Sequence, residues 1–351
     1  MKLSRWLSPF TAAVLMLSLS GCGDKTQYSS LVSFGDSLSD VGTYKVGTVA
    51  ALGGGKYTVN SSSAKNWTEL VAAHYNLAAP CAAQTGLEGN GTGFNVAVTN
   101  HASCFNYAQG GARVTNPVGP GNKYLGGDNA TLGQLTVPVV TQIQNHLSKL
   151  PQGKFSGTEL VTVMAGGNDV FINVATYSAT VTAAPSQATA AATAAVTAMA
   201  TAGAELAGYV KTKLKANGAK YIVVVNLPDV ASTPAFSSSP AKPLVTSMVT
   251  AFNSSLQAGL DASGVLLVDA YALSQDLVAN KQYYGLTNVT SPACILDDPA
   301  KNPLASSLVC TTATALSGTD YYLFADTVHP TPYGNKVNAD FIVKKIDRMI
   351  W

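Results

Sequence analysis

Charged residues are scarce in this sequence of 351 residues, since Lys, Arg, Asp and Glu make up 11% of it, against about 25% in soluble domains. Hydrophobic residues make up 47%. A disordered or nucleic-acid-binding chain needs more charge and less apolar content, so both classes are disfavoured. Heptad, collagen-like and internal repeats are absent, which argues against a fibrous protein. The length suits two domains or one large α/β domain with insertions.

The apolar run near the N-terminus, Phe10 to Leu19, is too short to span a bilayer as a permanent helix. Two cations precede it and small residues follow, which is typical of a secretory signal peptide over residues 1–21. The letters LSGC, ending at Cys22, resemble the lipobox of bacterial lipoproteins. They predict an exported outer-membrane lipoprotein, anchored through lipidated Cys22, and Gly23 favours outer-membrane sorting. Ordinary cleavage would instead give a secreted or periplasmic protein.

Loss of residues 1–21 leaves 19 cations and 19 anions, which is a formally neutral chain. No electrostatic attraction to nucleic acid or to an acidic membrane follows from that balance. We therefore expect no nucleic-acid partner, and we expect a monomer.

Four cysteines remain if Cys22 carries lipid, namely Cys81, Cys104, Cys294 and Cys310. An even number in an exported chain predicts disulfides. Pairing between sequence neighbours would close two modest loops and contribute about 3 kcal/mol each on the loop-entropy model. The sequence alone leaves the connectivity open.

The rival interpretation of the first two cysteines is a zinc site, formed by Cys81 and Cys104 with His74 and His101. Only His101 and Cys104 have compact ligand spacing, and no second close pair completes the set. The sequence therefore predicts disulfides rather than a metal site.

Short β-branched runs, bounded by Gly, Pro or Asn, predict four strands that are covered on both faces. They are Leu31–Phe34, Glu159–Ala165, Tyr221–Asn226 and Val265–Val268. Helical stretches are predicted over 66–77, 137–150, 185–216 and 242–260, although the third, rich in Ala and Thr, could also be a disordered linker. The alternation predicts a parallel sheet sandwiched by helices.

Three regions rich in Gly, Ser, Thr and Asn are interpreted as loop insertions in a single domain over residues 28–351. They lie at about 45–66, 78–106 and 286–319. The second contains GNGTG, which superficially suggests a phosphate-binding loop. Phe94 stands where the dinucleotide fingerprint needs its third Gly, and no Lys-Ser/Thr follows, so a flexible turn is predicted.

A serine lies in a tight turn where the first predicted strand ends, in the segment FGDSLSD from Phe34 to Asp40. The carboxyl ends of strands are where an α/β sheet presents reactive groups. Ser37 is therefore a candidate nucleophile, although a Ser/Asp turn that caps a helix would look similar. The segment is not a Gly-x-Ser-x-Gly elbow, since Ser39 replaces the second Gly.

A candidate base lies in the segment DTVHPT near the C-terminus. A nucleophilic serine needs a base, and the base needs an orienting carboxylate. Among the four histidines, His329 has a carboxylate three residues before it, Asp326, and a proline after it. Alone, the pair could also be a solvated helix cap.

Two further segments offer donors for a developing oxyanion. Asn168 follows two glycines at the end of the second predicted strand, and NYAQGGAR offers the backbone N–H of Gly110 or Gly111. Each segment by itself is an ordinary turn.

Together, the four segments resemble the blocks of the GDSL, or SGNH, hydrolase family in the same order, from about Leu31 to Tyr333. The resemblance implies an α/β fold, a three-layer α/β/α sandwich around a flavodoxin-like parallel sheet. It implies Ser37 as nucleophile, His329 as base and Asp326 as the residue that orients the base, with neither a metal nor an organic cofactor.

The same resemblance implies an oxyanion hole made by the N–H of Ser37, a glycine N–H and the Asn168 side chain. Spacing from Asn106 favours Gly111, with Gly110 as the alternative. The implied activity is hydrolysis of small-molecule or lipid esters by a lipase or esterase, and phospholipids or lysophospholipids are candidate substrates. The alternatives are a polysaccharide O-acetylesterase and a non-catalytic binding lipoprotein.

Overall fold

A parallel four-stranded sheet lies at the centre of the fold in the computed structural model, which describes residues 26–351. Within that range the strands are β1 Leu31–Gly35, β2 Gln84–Glu88, β3 Asn95–Asn100, β4 Leu160–Met164, β5 Tyr221–Val225, β6 Leu266–Val268, β7 Asn288–Pro292 and β8 Tyr322–Phe324. The α-helices of the same range are α1 Gly47–Ala51, α2 Trp67–His74, α3 Gly127–Leu132, α4 Val139–Leu147, α5 Gly167–Ala183, α6 Ala188–Tyr209, α7 Lys242–Leu260, α8 Ala270–Ala279 and α9 Pro332–Ile346. The predicted signal peptide and Cys22 lie outside the described residues.

The four predicted strands are confirmed as β1, β4, β5 and β6, with ends that differ by at most one residue. They pair in parallel in the order β1-β4-β5-β6. A further segment runs along the free edge of β1, where the Ser33 N–H donates to the Phe105 carbonyl at 3.0 Å and the Tyr107 N–H to the Ser33 carbonyl at 2.8 Å. With that segment included, the chain order across the sheet is 2-1-3-4-5, as in flavodoxin-like folds.

Successive side chains of each strand enter two different apolar layers, which explains why the strand sequences lack polar alternation. Val163 and Val224 pack into the layer formed by α4, α5, α6 and α7. Leu160 and Val223 pack into the opposite layer, which α2 and α9 cover. The predicted three-layer sandwich is therefore confirmed.

Helix α2 begins where the sequence predicts its cap. The Asn66 side chain accepts the N–H groups of Thr68 and Glu69, and the Glu69 carboxylate accepts the Asn66 N–H at 2.8 Å. This reciprocal pair satisfies donors that the first turn of a helix leaves free. Helices α4, α6 and α7 fall within the other three predicted stretches, and α7 has the predicted bounds.

The stretch rich in Ala and Thr forms helix α6 rather than a linker. Its buried face, which includes Met199 and Leu206, packs against α7 in the core. At Gly203 the helices approach so closely that a Cβ would lie 2.3 Å from the Phe252 carbonyl oxygen. In the described part of the chain, one helical segment, Pro185–Asn217, is long and apolar enough to cross a membrane. Since its buried face belongs to the sandwich, we interpret it as a core helix.

The three regions interpreted as loop insertions contain regular structure. The first holds α1, the second holds the β2–β3 hairpin, and the third holds β7, which pairs in parallel with β8. The GNGTG segment lies at the tip of the β2–β3 hairpin, as the predicted turn requires.

Both cysteine pairs join sequence neighbours. Cys81 is bonded to Cys104, and Cys294 is bonded to Cys310. The first disulfide uses the two sulfur atoms that a zinc site would need. Among residues 26–351, no group of three or more His, Cys, Asp or Glu side chains could hold a metal ion.

Candidate active site

The turn after β1 presents Ser37 at the carboxyl edge of the sheet. Its shape is held locally, because Asp36 Oδ1 accepts the Leu38 N–H at 3.1 Å and the Asp36 carbonyl accepts the Ser39 N–H at 3.0 Å. Gly35 is required before the turn, since a Cβ there would lie 2.2 Å from the backbone oxygen of Met164 on β4.

The predicted nucleophile, base and carboxylate lie in contact. Ser37 Oγ lies 2.8 Å from His329 Nε2, although the two residues are 292 positions apart. On the other side of the ring, His329 Nδ1 lies 2.8 Å and 3.0 Å from the two carboxylate oxygens of Asp326. The geometry is that of a serine, a base and an orienting carboxylate in series.

Backbone donors surround the Asp326 carboxylate. Oδ1 accepts the N–H groups of Val328 at 2.9 Å and His329 at 2.8 Å, and Oδ2 accepts the Ser307 N–H at 3.0 Å. Burial raises the pKa of this carboxyl, but the charge of His329 and these hydrogen bonds outweigh burial and hold the pKa well below its usual range. The ionised carboxylate keeps the ring proton on Nδ1, so Nε2 can accept the Ser37 proton.

The Tyr57 ring packs against the imidazole, with ring centroids 4.7 Å apart and the ring planes tilted by 33°. Its hydroxyl accepts from Gln134 Nε2 at 2.5 Å. Burial raises the pKa of Tyr57 well above its usual value, so the phenol stays neutral. A Cβ on Gly110 would lie 2.0 Å from this hydroxyl, so the tyrosine also limits position 110 to glycine.

Asn168 lies in the first turn of α5 and lines the same cleft as Ser37 and His329. Its side-chain amide donates to the Ala112 carbonyl at 2.8 Å, which joins the asparagine to the glycine-containing loop. An amide carries two N–H bonds, so one remains to act on a bound substrate.

The two candidate glycines differ in the partners of their N–H groups. The Gly110 N–H donates to Asp40 Oδ2 at 3.0 Å. The Gly111 N–H, within the described residues, has no hydrogen-bond partner. Gly111 also has a left-handed φ of 77°, and a Cβ would lie 2.1 Å from the Pro120 carbonyl oxygen. The structure therefore leaves the Gly111 N–H available and the Gly110 N–H occupied.

Two buried carboxyl groups lie in the nucleophile segment beside Ser37. Burial raises the pKa of Asp36 to about 7 and that of Asp40 to about 6. Asp40 Oδ1 accepts the N–H groups of Gly42 and Thr43, both at 2.8 Å, so it organises the loop that follows the turn. Each carboxyl group is shielded from water, and backbone N–H groups donate hydrogen bonds to it instead.

We expect Asp36→Asn to stabilise the protein increasingly as the pH rises. The folded pKa of about 7 exceeds that of an unfolded Asp, about 4, so the wild-type chain loses stability as the pH rises between these values. The asparagine cannot ionise, yet its Oδ1 can still accept the Leu38 N–H. The unfolding free energy of Asp36→Asn minus that of the wild type should grow by roughly 2–3 kcal/mol from pH 5 to pH 8. Urea titration at each pH measures it. A constant difference would contradict this assignment.

Ser37, Asn168 and His329 line one small cleft. Its walls are mostly apolar and include Phe171 and Leu227. Such a cleft, with a few convergent polar groups, is typical of a small-molecule site. The arrangement can remove a proton from a hydroxyl and stabilise negative charge beside it.

The fold is an α/β/α sandwich that holds a serine, a histidine and a carboxylate in series at the carboxyl edge of its sheet. The chain belongs to the GDSL-like lipase/acylhydrolase family, whose model matches residues 31–342.

Two curated relatives align with parts of the chain. An uncharacterized protein of the trpE-trpG intergenic region of Pseudomonas putida is 29% identical over 148 residues, which is 40% of this chain and 23% of the relative. A GDSL esterase/lipase of Arabidopsis thaliana is 31% identical over 83 residues, 23% of this chain and 21% of the relative. The chain therefore spans less than a quarter of the curated relatives it matches.

Solved structures are similar over nearly the whole chain at low identity. Phospholipase A1 from Streptomyces albidoflavus NA297 is 14% identical, with 92% of this chain and 100% of that chain covered and a TM-score of 0.44. The extracellular lipase from Streptomyces rimosus is 15% identical over 92% and 100% of the two chains, with a TM-score of 0.41.

Proposed function

We propose that this protein is a carboxylic ester hydrolase that acts on acyl esters, as a lipase or esterase, with phospholipids and lysophospholipids among its candidate substrates. The observation that carries the proposal is the 2.8 Å contact between Ser37 Oγ and His329 Nε2, with the ring oriented by Asp326. An imidazole nitrogen in hydrogen-bond reach of a serine hydroxyl is what general-base activation requires.

In the first step, Ser37 Oγ attacks the ester carbonyl while His329 Nε2 takes its proton. The carbonyl oxygen becomes an oxyanion, for which the donors are the N–H groups of Ser37 and Gly111 and the Asn168 amide. The tetrahedral intermediate then collapses as His329 protonates the leaving alcohol. The acyl group remains bonded to Ser37.

In the second step, water replaces the alcohol. His329 takes a proton from the water, which attacks the acyl-enzyme carbonyl at the same donor set. Collapse of this intermediate returns the proton to Ser37 Oγ and releases the carboxylic acid.

Fluorophosphonate labelling of the folded protein tests the proposal. We expect one adduct, located on Ser37 by peptide mass spectrometry, together with hydrolysis of p-nitrophenyl esters. The heat-denatured chain serves as the control and should not be labelled. Absence of labelling and of hydrolysis in folded protein would favour the binding lipoprotein instead.

Asn168→Ala is expected to lower kcat by about 10²–10³ with little change in KM. The amide acts on charge that develops in the transition state, so its loss affects the chemical step more than substrate binding. Steady-state kinetics on p-nitrophenyl acetate measure this split. Asn173→Ala is the matched control on the same helix, because its Nδ2 donates to the Asp169 carbonyl. Equal losses in both variants would contradict the assignment.

A polysaccharide O-acetylesterase is the second candidate function. It is favoured by the Gly, Ser, Thr and Asn content of the three regions interpreted as loop insertions, which would suit carbohydrate. A series of p-nitrophenyl esters separates the two functions. Strong preference for acetyl over acyl chains of eight or more carbons would select the acetylesterase.

We propose that residues 1–21 direct export and that Cys22 carries the lipid anchor of an outer-membrane protein. The support is the sequence pattern alone. Mass spectrometry of the mature N-terminal peptide from a Gram-negative host tests it, and a diacylglyceryl group on Cys22 is expected. Cleavage elsewhere without lipid would favour the secreted or periplasmic form.

A further inference from the structure

The ring of Tyr57 lies against His329, the base of the proposed mechanism. The ring centroids are 4.7 Å apart and the ring planes are tilted by 33°. Rings that met edge to edge in one plane would hold their centroids further apart, and an edge-to-face contact would bring the planes close to perpendicular. The imidazole therefore lies over part of the phenol ring.

The surroundings hold the Tyr57 ring in this position. Gln134 Nε2 donates to its hydroxyl at 2.5 Å, and the residue is 8% exposed. The next residue, Thr58, donates from its hydroxyl to the Pro330 carbonyl at 2.9 Å, which ties this segment to the turn that carries His329. A group that is fixed before the substrate binds needs no reorganisation when charge develops beside it.

The proposed mechanism places a positive charge on the imidazole in both steps. His329 carries the Ser37 proton beside the first tetrahedral intermediate, and a proton from water beside the second. The face of an aromatic ring is the negative part of its quadrupole, and it attracts a cation within about 6 Å of the centroid. Solvent screens this attraction little, since the His329 side chain is 13% exposed. The phenol ring can therefore favour the imidazolium over the neutral imidazole.

Two carboxyl groups also act on the imidazole. Asp326 contacts Nδ1, and the charge of its carboxylate favours the imidazolium as the ring of Tyr57 does. Asp36 lies in the wall of the same cleft as His329. Burial raises the pKa of Asp36 to about 7, so this carboxyl changes charge in the pH range in which a histidine base titrates. A pH experiment on the base must therefore remove Asp36.

We propose that Tyr57 is a positioning residue whose aromatic face stabilises the His329 imidazolium in both steps of ester hydrolysis. The inference rests on the proposed function. Tyr57 lies outside the four segments that resemble the family blocks. Because the imidazolium forms in the transition state and is absent from the substrate complex, loss of the aromatic face should lower kcat with little change in KM.

Tyr57→Phe and Tyr57→Leu form a matched pair, because both remove the hydroxyl and deprive Gln134 of that acceptor. Phenylalanine keeps an aromatic face, whereas leucine keeps only apolar bulk. We expect kcat for p-nitrophenyl acetate to be about 5- to 30-fold lower in Tyr57→Leu than in Tyr57→Phe, at similar KM. Equal kcat values in the two variants overturn the proposal.

A pH profile separates this role from packing. Both variants are prepared in an Asp36→Asn background, so that only the base titrates in the cleft. The acidic limb of kcat/KM reports protonation of the base in the free enzyme. A ring that favours the imidazolium moves the midpoint of this limb to higher pH, so the midpoint in Tyr57→Leu should lie about one pH unit below that in Tyr57→Phe. Equal midpoints assign Tyr57 to packing and overturn the proposal.

Tyr44→Leu in the same background is the control for loss of a buried tyrosine. Tyr44 belongs to the same buried apolar cluster as Tyr57, and its hydroxyl donates to the Gly110 carbonyl at 2.7 Å. This variant should lose stability and keep the midpoint of the Asp36→Asn parent. A midpoint that falls as far as in Tyr57→Leu would show a general effect of a loosened core and overturn the proposal.

Fluorinated phenylalanines at position 57 decide the question if Tyr57→Leu fails to fold. Fluorine withdraws negative charge from the ring face and changes the ring volume little. Both kcat and the midpoint of the acidic limb should fall stepwise from phenylalanine through its mono-, di- and trifluoro forms. Constant values across the series overturn the proposal.

Fluorophosphonate labelling of Ser37 separates failure of this inference from failure of the proposed function. It also counts the active sites in each variant, so that kcat is compared per site. Wild-type protein that is labelled and hydrolyses esters, with equal values in Tyr57→Phe and Tyr57→Leu, keeps the hydrolase and removes the role of Tyr57. Wild-type protein with neither labelling nor hydrolysis removes both.

Discussion

Ser37→Ala is expected to lower kcat for p-nitrophenyl esters by about 10⁶ and to abolish fluorophosphonate labelling. Without the hydroxyl, His329 has no proton to take and no acyl-enzyme can form. The donors around the oxyanion remain, so a small rate above that of water should persist.

The same substitution should leave stability nearly unchanged, because the hydrogen bond from Ser37 Oγ goes to His329 alone among the described residues. Thermal unfolding checks this point. Ser39→Ala is the matched control in the same turn, where the hydroxyl accepts the Trp67 Nε1–H at 3.2 Å. Ser39→Ala should keep kcat within about tenfold of the wild-type value and lower the unfolding free energy by about 1–2 kcal/mol. Wild-type kcat in Ser37→Ala would show that another group is the nucleophile.

Asp326→Asn should lower kcat by about 10⁴ with little effect on KM. The asparagine amide donates where the carboxylate accepted, so the ring loses the partner that keeps its proton on Nδ1. Nε2 then carries the proton and cannot accept from Ser37. Steady-state kinetics measure the loss, and retained fluorophosphonate reactivity at a slower rate would show that the site is still assembled.

Asp326→Ala should lower kcat less than Ser37→Ala does, because the His329 ring can still accept the Ser37 proton without its orienting partner. The stability that ionised Asp326 contributes also has a defined pH window. Since its folded pKa lies below the unfolded value of about 4, this contribution is present above pH 4 and is lost as the pH falls below it. A kcat in either Asp326 variant equal to that of wild type would rule out the orienting role.

Local sequence patterns were sufficient to predict the central sheet and most of its covering helices. Each inner strand is covered on both faces, so its residues form an unbroken apolar run that marks it. Helix α7 has the predicted bounds because Pro243 fixes its first turn. Helices α5, α8 and α9 were not predicted, although two of them carry start signals. Asp269 caps α8, and Thr331 caps α9 directly before Pro332.

The supporting contacts of the site depend on long-range packing and could not be predicted. Ser307 contributes a backbone N–H to Asp326, and a backbone donor has no side-chain signature. Tyr57 packs against the His329 ring from a region interpreted as a loop insertion. Spacing from Asn106 favoured Gly111 and left Gly110 as the alternative. The contact that occupies the Gly110 N–H, with Asp40, could not be predicted from spacing.

The loop that carries Ser307 is closed by the bond between Cys294 and Cys310, which are 16 positions apart. The same loop is attached to the rest of the fold through the Asn60 Nδ2 contact with the Ser307 carbonyl at 3.0 Å. Thiols stay reduced in the cytosol and pair in oxidising compartments. Under the proposed export and the proposed role of Asp326, a chain whose cysteines are still reduced would lack this closure, so full activity would be acquired only after oxidative folding.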